Sequence, residues 1–143
     1  MKRFFDTKTT PYLGQILNEW YGTPYRHWSG VKQGGVDCIH FIVKVLEEVG
    51  YVDPGIIKIP WYDRDWHLHN TNELLFDGVL SNLTVLEIPV EKISDGDLFL
   101  FQFGKTMSHA GFFFDRKIWH AVAGKGVRRS EEHTSELQSP SAI

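Results

Sequence analysis

The apolar residues of this chain change period once, and that change limits the folds open to it. From Leu13 to Val49 they recur at helical spacing, and from Leu83 to Val127 they fall in short strand-length runs. Helices first and strands afterwards describe an α+β domain, with N-terminal helices packed on a small antiparallel sheet. Thr10-Pro11 followed by Leu13, Ile16, Leu17 and Trp20 predicts a helix capped by Thr10, with proline at its first position and Gly22 as its stop. A second helix is predicted from Cys38 to about Val49. Asp37 caps it, Phe41, Ile42, Val45 and Leu46 line its buried face, and Gly50 ends it. Between the two, Gly22 to Gly35 holds too many turn formers for either period and reads as a loop carrying Tyr25, Arg26, His27 and Trp28. A third helix capped by Asp65 and running to Leu80 is weakened by Asn70-Thr71-Asn72.

The strands follow in order. Thr84 to Pro89 is a short β run, and Leu98 to Phe103 is apolar on both faces and therefore central. Ser108 to Phe114 and Lys117 to Ala121 flank a tight turn at Asp115-Arg116, and Val127 opens one more strand. If that turn has two residues, His120 faces Gly111 and His109 faces Val122. The two histidines then become diagonal neighbours on one face.

Composition bounds the function. At 143 residues the chain is long enough for one domain with a real core, and its net charge of -3 lacks the basic footprint of a nucleic-acid binder. The N-terminus Met-Lys-Arg-Phe-Phe-Asp turns polar at once, so the expectation is cytoplasmic synthesis without a signal peptide and without a membrane span. His67 and His69 stand two apart, whereas a helical metal pair stands four apart, and no metal site is expected.

Cys38 is the one cysteine of the chain, so it forms no internal disulfide. Two readings stand side by side. It is a small buried hydrophobe, or it is a nucleophile whose thiolate is favoured by the dipole and free N–H groups of a helix N-terminus. A nucleophile needs a base and a group that orients the base, and the candidates are His27, His40, His67, His69, His109 and His120.

With these residues in view, the chain resembles the NlpC family of cell-wall cysteine peptidases, a compact papain-like fold. The matching stretches are Trp20-Tyr-Gly-Thr-Pro-Tyr25, Gly35-Val-Asp-Cys-Ile-His-Phe41, Asp95-Gly-Asp-Leu-Phe-Leu100, Ser108-His-Ala-Gly-Phe112 and Ile118-Trp-His-Ala121. The resemblance implies Cys38 as nucleophile, His109 as general base and His120 as the residue that orients it. It also implies Tyr25 and Asp37 on the substrate and oxyanion side, with the Cys38 backbone N–H in the oxyanion hole. The implied reaction is hydrolysis of an amide bond in peptidoglycan stem peptides through an acyl-enzyme, with no cofactor. The family commonly has a small pair such as Ser-Gly after the cysteine, where Ile39 and His40 stand here; His40 reads as a packing or subsite residue. The Asp65-Trp-His-Leu-His69 segment and the absent leader resemble short phage-tail members, which implies tail proteins as partners and a virion-associated or wall-released location. A structural tail protein of the same fold, and a thiol-dependent amidase or acyltransferase, are the alternatives. Residues 129–139 resemble the in-frame translation of a sequencing-library adapter. The expected domain is therefore residues 1–128, followed by a foreign tail over 129–143 in place of the natural C-terminus.

Overall fold

The computed structural model describes residues 9–59, 86–87, 90–103, 106–131 and 137–142. The first helix, α1, spans Thr10–Trp20, beginning one residue earlier than the sequence suggested, with Thr9 in the flanking position. Leu13, Ile16, Leu17 and Trp20 form its buried face. Gly14 on the same face has no room for a side chain, because an added methyl would run into the Phe114 ring. The second helix, α2 (Cys38–Glu48), is capped as expected: Asp37 is extended and accepts the His40 N–H at 2.8 Å. It ends in a Schellman turn, with Gly50 at φ +84° bonded to Glu47 and the Tyr51 N–H bonded to Leu46.

The two helices are tied at one corner. The Trp20 ring meets Phe41 edge-on at 5.9 Å, and its indole N–H donates to Glu48 at 2.6 Å. Lys32 bridges Glu19 at 2.8 Å and Glu48 at 2.6 Å. Lys32 comes from the stretch read as a plain loop, which contains a short antiparallel ribbon, β1 (Gly30–Val31) and β2 (Gly35–Val36). Two-residue strands carry no period, which is why the pattern hid them. The predicted third helix lies outside the described residues. Of the run from Thr84 to Pro89, β3 (Leu86–Glu87) is described.

The main sheet is antiparallel, in the order β3-β8-β4-β5-β6-β7, with β4 (Leu98–Phe103), β5 (Thr106–Phe114), β6 (Lys117–Val122), β7 (Gly126–Glu131) and β8 (Leu137–Ala142). β4 is interior, as its two-sided apolar pattern required. The β5–β6 hairpin turns through Asp115 (φ 53°) and Arg116 (φ 64°), a two-residue turn with both residues left-handed. Its register, Phe112↔Trp119 and Phe114↔Lys117, is the one expected. One sheet face packs on the helices: Ala110, Phe112, Trp119 and Ala121 join the core around α2, and the Phe41 and Phe112 rings meet at 6.2 Å. The other face holds a smaller cluster of Phe99, Phe113 and Ile118. The adapter-like stretch enters the sheet as the end of β7 and as β8.

Candidate functional site

Cys38 stands at the first helical position of α2, buried in the main core with 6% of its surface exposed. The backbone N–H groups of Ile39 and Cys38 lower its pKa, as a helix N-terminus should, but burial and then the adjacent Asp37 charge outweigh them. The thiol is pushed up to about 12. The expected ready-made thiolate is therefore corrected. Desolvation beats the helix end because the charged sulfur would lose nearly all contact with water.

Asp37 keeps the capping role expected of it, but its expected place on the substrate and oxyanion side is corrected. Its side chain is fully buried, so it is not a surface for substrate. Oδ1 accepts the His40 N–H at 2.8 Å and faces His40 Nδ1 at 2.8 Å, while Oδ2 accepts the Trp28 N–H at 2.7 Å. A negative carboxylate so placed opposes an oxyanion rather than binding one. Its role is to cap α2 and to hold the preceding loop against the helix.

Tyr25 is tied by its backbone to the strand that leads into Cys38. It forms a parallel bridge with Val36, flanked by Val36 N–H to Pro24 O (2.9 Å) and Arg26 N–H to Val36 O (3.1 Å). Its ring packs half-buried against the core. The segment before it is anchored to the sheet: the Val127 N–H donates to Thr23 O at 2.9 Å, and the Gly22 N–H to Val127 O at 3.1 Å.

His120 lies on the face of β6 that also carries Ile118. A methyl on Gly111 would sit 3.0 Å from His120 Cβ, which places His120 opposite Gly111 as the hairpin register requires. His120 is 9% exposed, its Nε2 lies 2.7 Å from Ser130 Oγ, and burial lowers its pKa to about 4, so the ring is neutral at neutral pH. His109 is a backbone partner of Phe101. The next pair is Gln102↔Met107, so Ser108 is an extra residue in β5, a bulge directly before His109. Bulges bend and twist a strand where a side chain has to be re-aimed. Positions 109 and 120 thus lie on the two strands of one hairpin. The meeting of the His109 ring with Cys38 involves a side chain outside those described, and it enters below as part of the proposal.

Ser130 was not singled out from sequence, and Trp28, read there as a loop aromatic, has a backbone that was not expected. Trp28 has φ 55°, rare for a bulky residue, and nothing in its sequence neighbourhood signals this. Ser130 could have been found by running the β6–β7 register (Ile118↔Ser130, His120↔Arg128), but it lies in the stretch set aside as foreign. Among the described residues, no group of three or more His, Cys, Asp or Glu is placed to hold a metal ion, and no helix is long and apolar enough to cross a membrane.

A cysteine at a helix N-terminus, carried beside an antiparallel sheet whose hairpin bears two histidines, defines an α+β domain of the papain-like kind. The match of residues 22–141 to the model of the NlpC/P60 family makes it specific: the chain belongs to that family. It is 28% identical over 121 residues to the probable endopeptidase NlpC of Escherichia coli (strain K12), a stretch covering 82% of this chain and 65% of that relative. The chain therefore spans just under two thirds of that relative's length. The NlpC/p60 domain of the peptidoglycan hydrolase SagA superimposes with a TM-score of 0.64 at 16% identity, over 94% of this chain and 98% of that one. RipD of Mycobacterium tuberculosis, described as a non-catalytic NlpC/p60 domain protein adapted to peptidoglycan binding, superimposes at 0.58 with 11% identity, over 96% and 98%. At these identities the two structures speak for the fold alone.

Proposed function

We propose that this protein is a cysteine peptidase hydrolysing amide bonds in peptidoglycan stem peptides, with Cys38 as nucleophile, His109 as general base and His120 as the residue that orients it. The observation that carries the reading is the two-residue turn at Asp115-Arg116. It sets the register Phe112↔Trp119 to Phe114↔Lys117, which if continued would make positions 109 and 120 diagonal neighbours, on a hairpin packed against the helix that begins at Cys38. Ala110 and Phe112 face α2, so alternation alone sends position 109 to the other side of β5. The β4–β5 register runs unbroken to His109 and breaks just beyond it at the Ser108 bulge, so the imidazole would have to reach the thiol from the irregular end of the strand.

The thiol pKa shapes the mechanism. Burial raises the thiol pKa, which favours attack by sulfur as its proton passes to a base over attack by a standing thiolate. Proton transfer from Sγ to His109 accompanies attack of sulfur on the stem-peptide carbonyl. The Cys38 backbone N–H receives the oxyanion, His109 returns the proton to the leaving amine, and water then hydrolyses the thioester. A neutral His120 suits this cycle, since a second cation beside His109 would oppose its protonation.

Zymography on purified cell walls tests the reading. The wild type should clear the wall and Cys38→Ala should not; equal clearing by both would end the assignment. The raised thiol pKa and the bulk of Ile39 and His40 favour a second reading, a non-hydrolytic wall-binding or tail-assembly protein. Wall binding without clearing by the wild type would support it. Association with a phage tail is a separate proposal, motivated by the Asp65 to His69 segment. A thiol-dependent amidase or acyltransferase would instead release different fragments, which mass spectrometry of the digested wall distinguishes.

A further inference from the structure

The loop ahead of α2 fixes a guanidinium in place and leaves its far edge unpaired among the described residues. Arg26 directly follows Tyr25. The Tyr25 ring packs on the core, so the Arg26 side chain leaves on the opposite side and is exposed. Its stem lies flat on Gly35: a methyl there would overlap Arg26 Cδ and stand 2.6 Å from Cγ, so only glycine lets the stem down. Its Nε–H donates to Gly34 O at 3.0 Å, and its backbone N–H to Val36 O at 3.1 Å. The support is itself tied down. At the turn of the β1–β2 ribbon the Gln33 N–H donates to Thr23 Oγ1 at 3.0 Å and Gln33 Nε2 donates to Glu19 O at 2.6 Å. Behind it the Ser29 hydroxyl donates to Gly35 O at 2.9 Å.

We propose that Arg26 is a specificity residue that takes a carboxylate of the stem peptide. The proposal rests on the stem-peptide reading above. With Nε–H committed to Gly34, the guanidinium presents its two terminal nitrogens as a fork, the geometry that receives both oxygens of a carboxylate. Pinning at the stem and at Nε removes rotamer freedom before the ligand arrives, so little ordering is left to oppose binding. The fork stands near the nucleophile along the chain. Gly35 precedes Cys38 by three residues, which holds their Cα atoms within about 11 Å. An extended tripeptide covers about the same length, so a peptide whose amide lies at Cys38 reaches Arg26 with a carboxylate on a neighbouring residue. A chain of net charge -3 repels an acidic peptide in general, so a preference for the acid form has to come from a local cation.

The full chain carrying Cys38→Ala lets calorimetry read affinity apart from hydrolysis. The probes are synthetic L-alanyl-γ-D-glutamyl-L-lysine and its two singly amidated forms, one blocked at the glutamate α-carboxylate and the other at the C-terminus. The free acid should bind roughly tenfold tighter than one of the amides, and the amide that loses affinity identifies the carboxylate Arg26 holds. Adding Arg26→Gln should abolish that difference, with thermal melts establishing that the fold is kept. Equal affinity for all three peptides, or no measurable binding of the free acid, would overturn the proposal. So would an equal loss for acid and amide in Arg26→Gln, which would mark Arg26 as a brace for the ribbon alone. Should Arg26→Gln fail to fold, Arg26→Lys keeps the charge without the fork and should lose most of the preference; full retention would overturn the proposal. Equal wall clearing by the wild type and Cys38→Ala would end the peptidase reading and leave this binding result standing or falling on its own.

Discussion

At His120, burial lowers the imidazole pKa, and that makes the fold acid-sensitive. The folded state keeps the ring neutral down to about pH 4, whereas the unfolded chain takes up the proton near 6.5. Between those values the unfolded state binds more protons, so stability falls as pH drops through this window and is unaffected by this residue above it. The full shift corresponds to at most about 3 kcal/mol. Urea unfolding at pH 7 and pH 4.5 should show that loss in the wild type and a smaller one in His120→Gln; an equal loss in both would locate the sensitivity elsewhere. At this scale, Cys38 as the first helical residue and Asp37 as its cap were legible, because capping chemistry is local. The thiol's raised pKa was not legible. Its cause is the packing of Cys38 among residues from α1, α2 and the sheet, which no local pattern records.

Among the elements, the β5–β6 hairpin governs the site, since a slip of one residue would send His120 to the helix-covered face. The turn holds its register with two non-glycine residues at positive φ, a conformation that costs each of them stability relative to Asn or Gly. A further bond steadies it: the Asp115 N–H donates to Asp95 Oδ1 at 3.1 Å, using backbone on the turn side only. The double variant Asp115→Asn/Arg116→Gly should therefore keep that bond and the register. It should be more stable by about 1 kcal/mol, a rise in melting temperature of roughly 2–4 °C, with wall clearing unchanged. A lowered melting temperature would show that the present turn residues are stabilising in ways their backbone angles do not reveal. The hairpin was readable because alternating blocks bracket Asp115-Arg116. The β1–β2 ribbon was not, because two residues per strand are too few to alternate.

For the whole molecule, the decisive join is between the loop before the cysteine and the β6–β7 turn of the sheet. Gly126 sits at φ +92°, and any side chain there would strike the Thr23 carbonyl and crowd Pro24. Gly124 has a similar backbone, φ +80°, but open space around it. Gly126→Ala should cost more than Gly124→Ala by about 2 kcal/mol in urea unfolding, since the first combines strain with a steric clash and the second has strain alone. Equal costs would mean that the Thr23–Val127 strap yields easily. That strap links α1's exit to β7 and so fixes where Tyr25 and the Trp28 loop lie relative to α2.

What the sequence determined by itself was the kind and order of elements. One change of apolar period, proline and glycine at the helix ends, and two polar residues between alternating runs were enough for two helices followed by an antiparallel sheet. These signals act over a few residues, and local sterics and hydrogen bonding fix them. The tertiary structure alone decided which groups share an environment. It buried Asp37 and so removed it as a candidate substrate contact, set His40 and Trp28 upon it, gave His120 a partner in Ser130, and raised the Cys38 thiol instead of lowering it. Desolvation and charge pairing depend on what packs around a group from distant parts of the chain, and residue spacing carries no record of that.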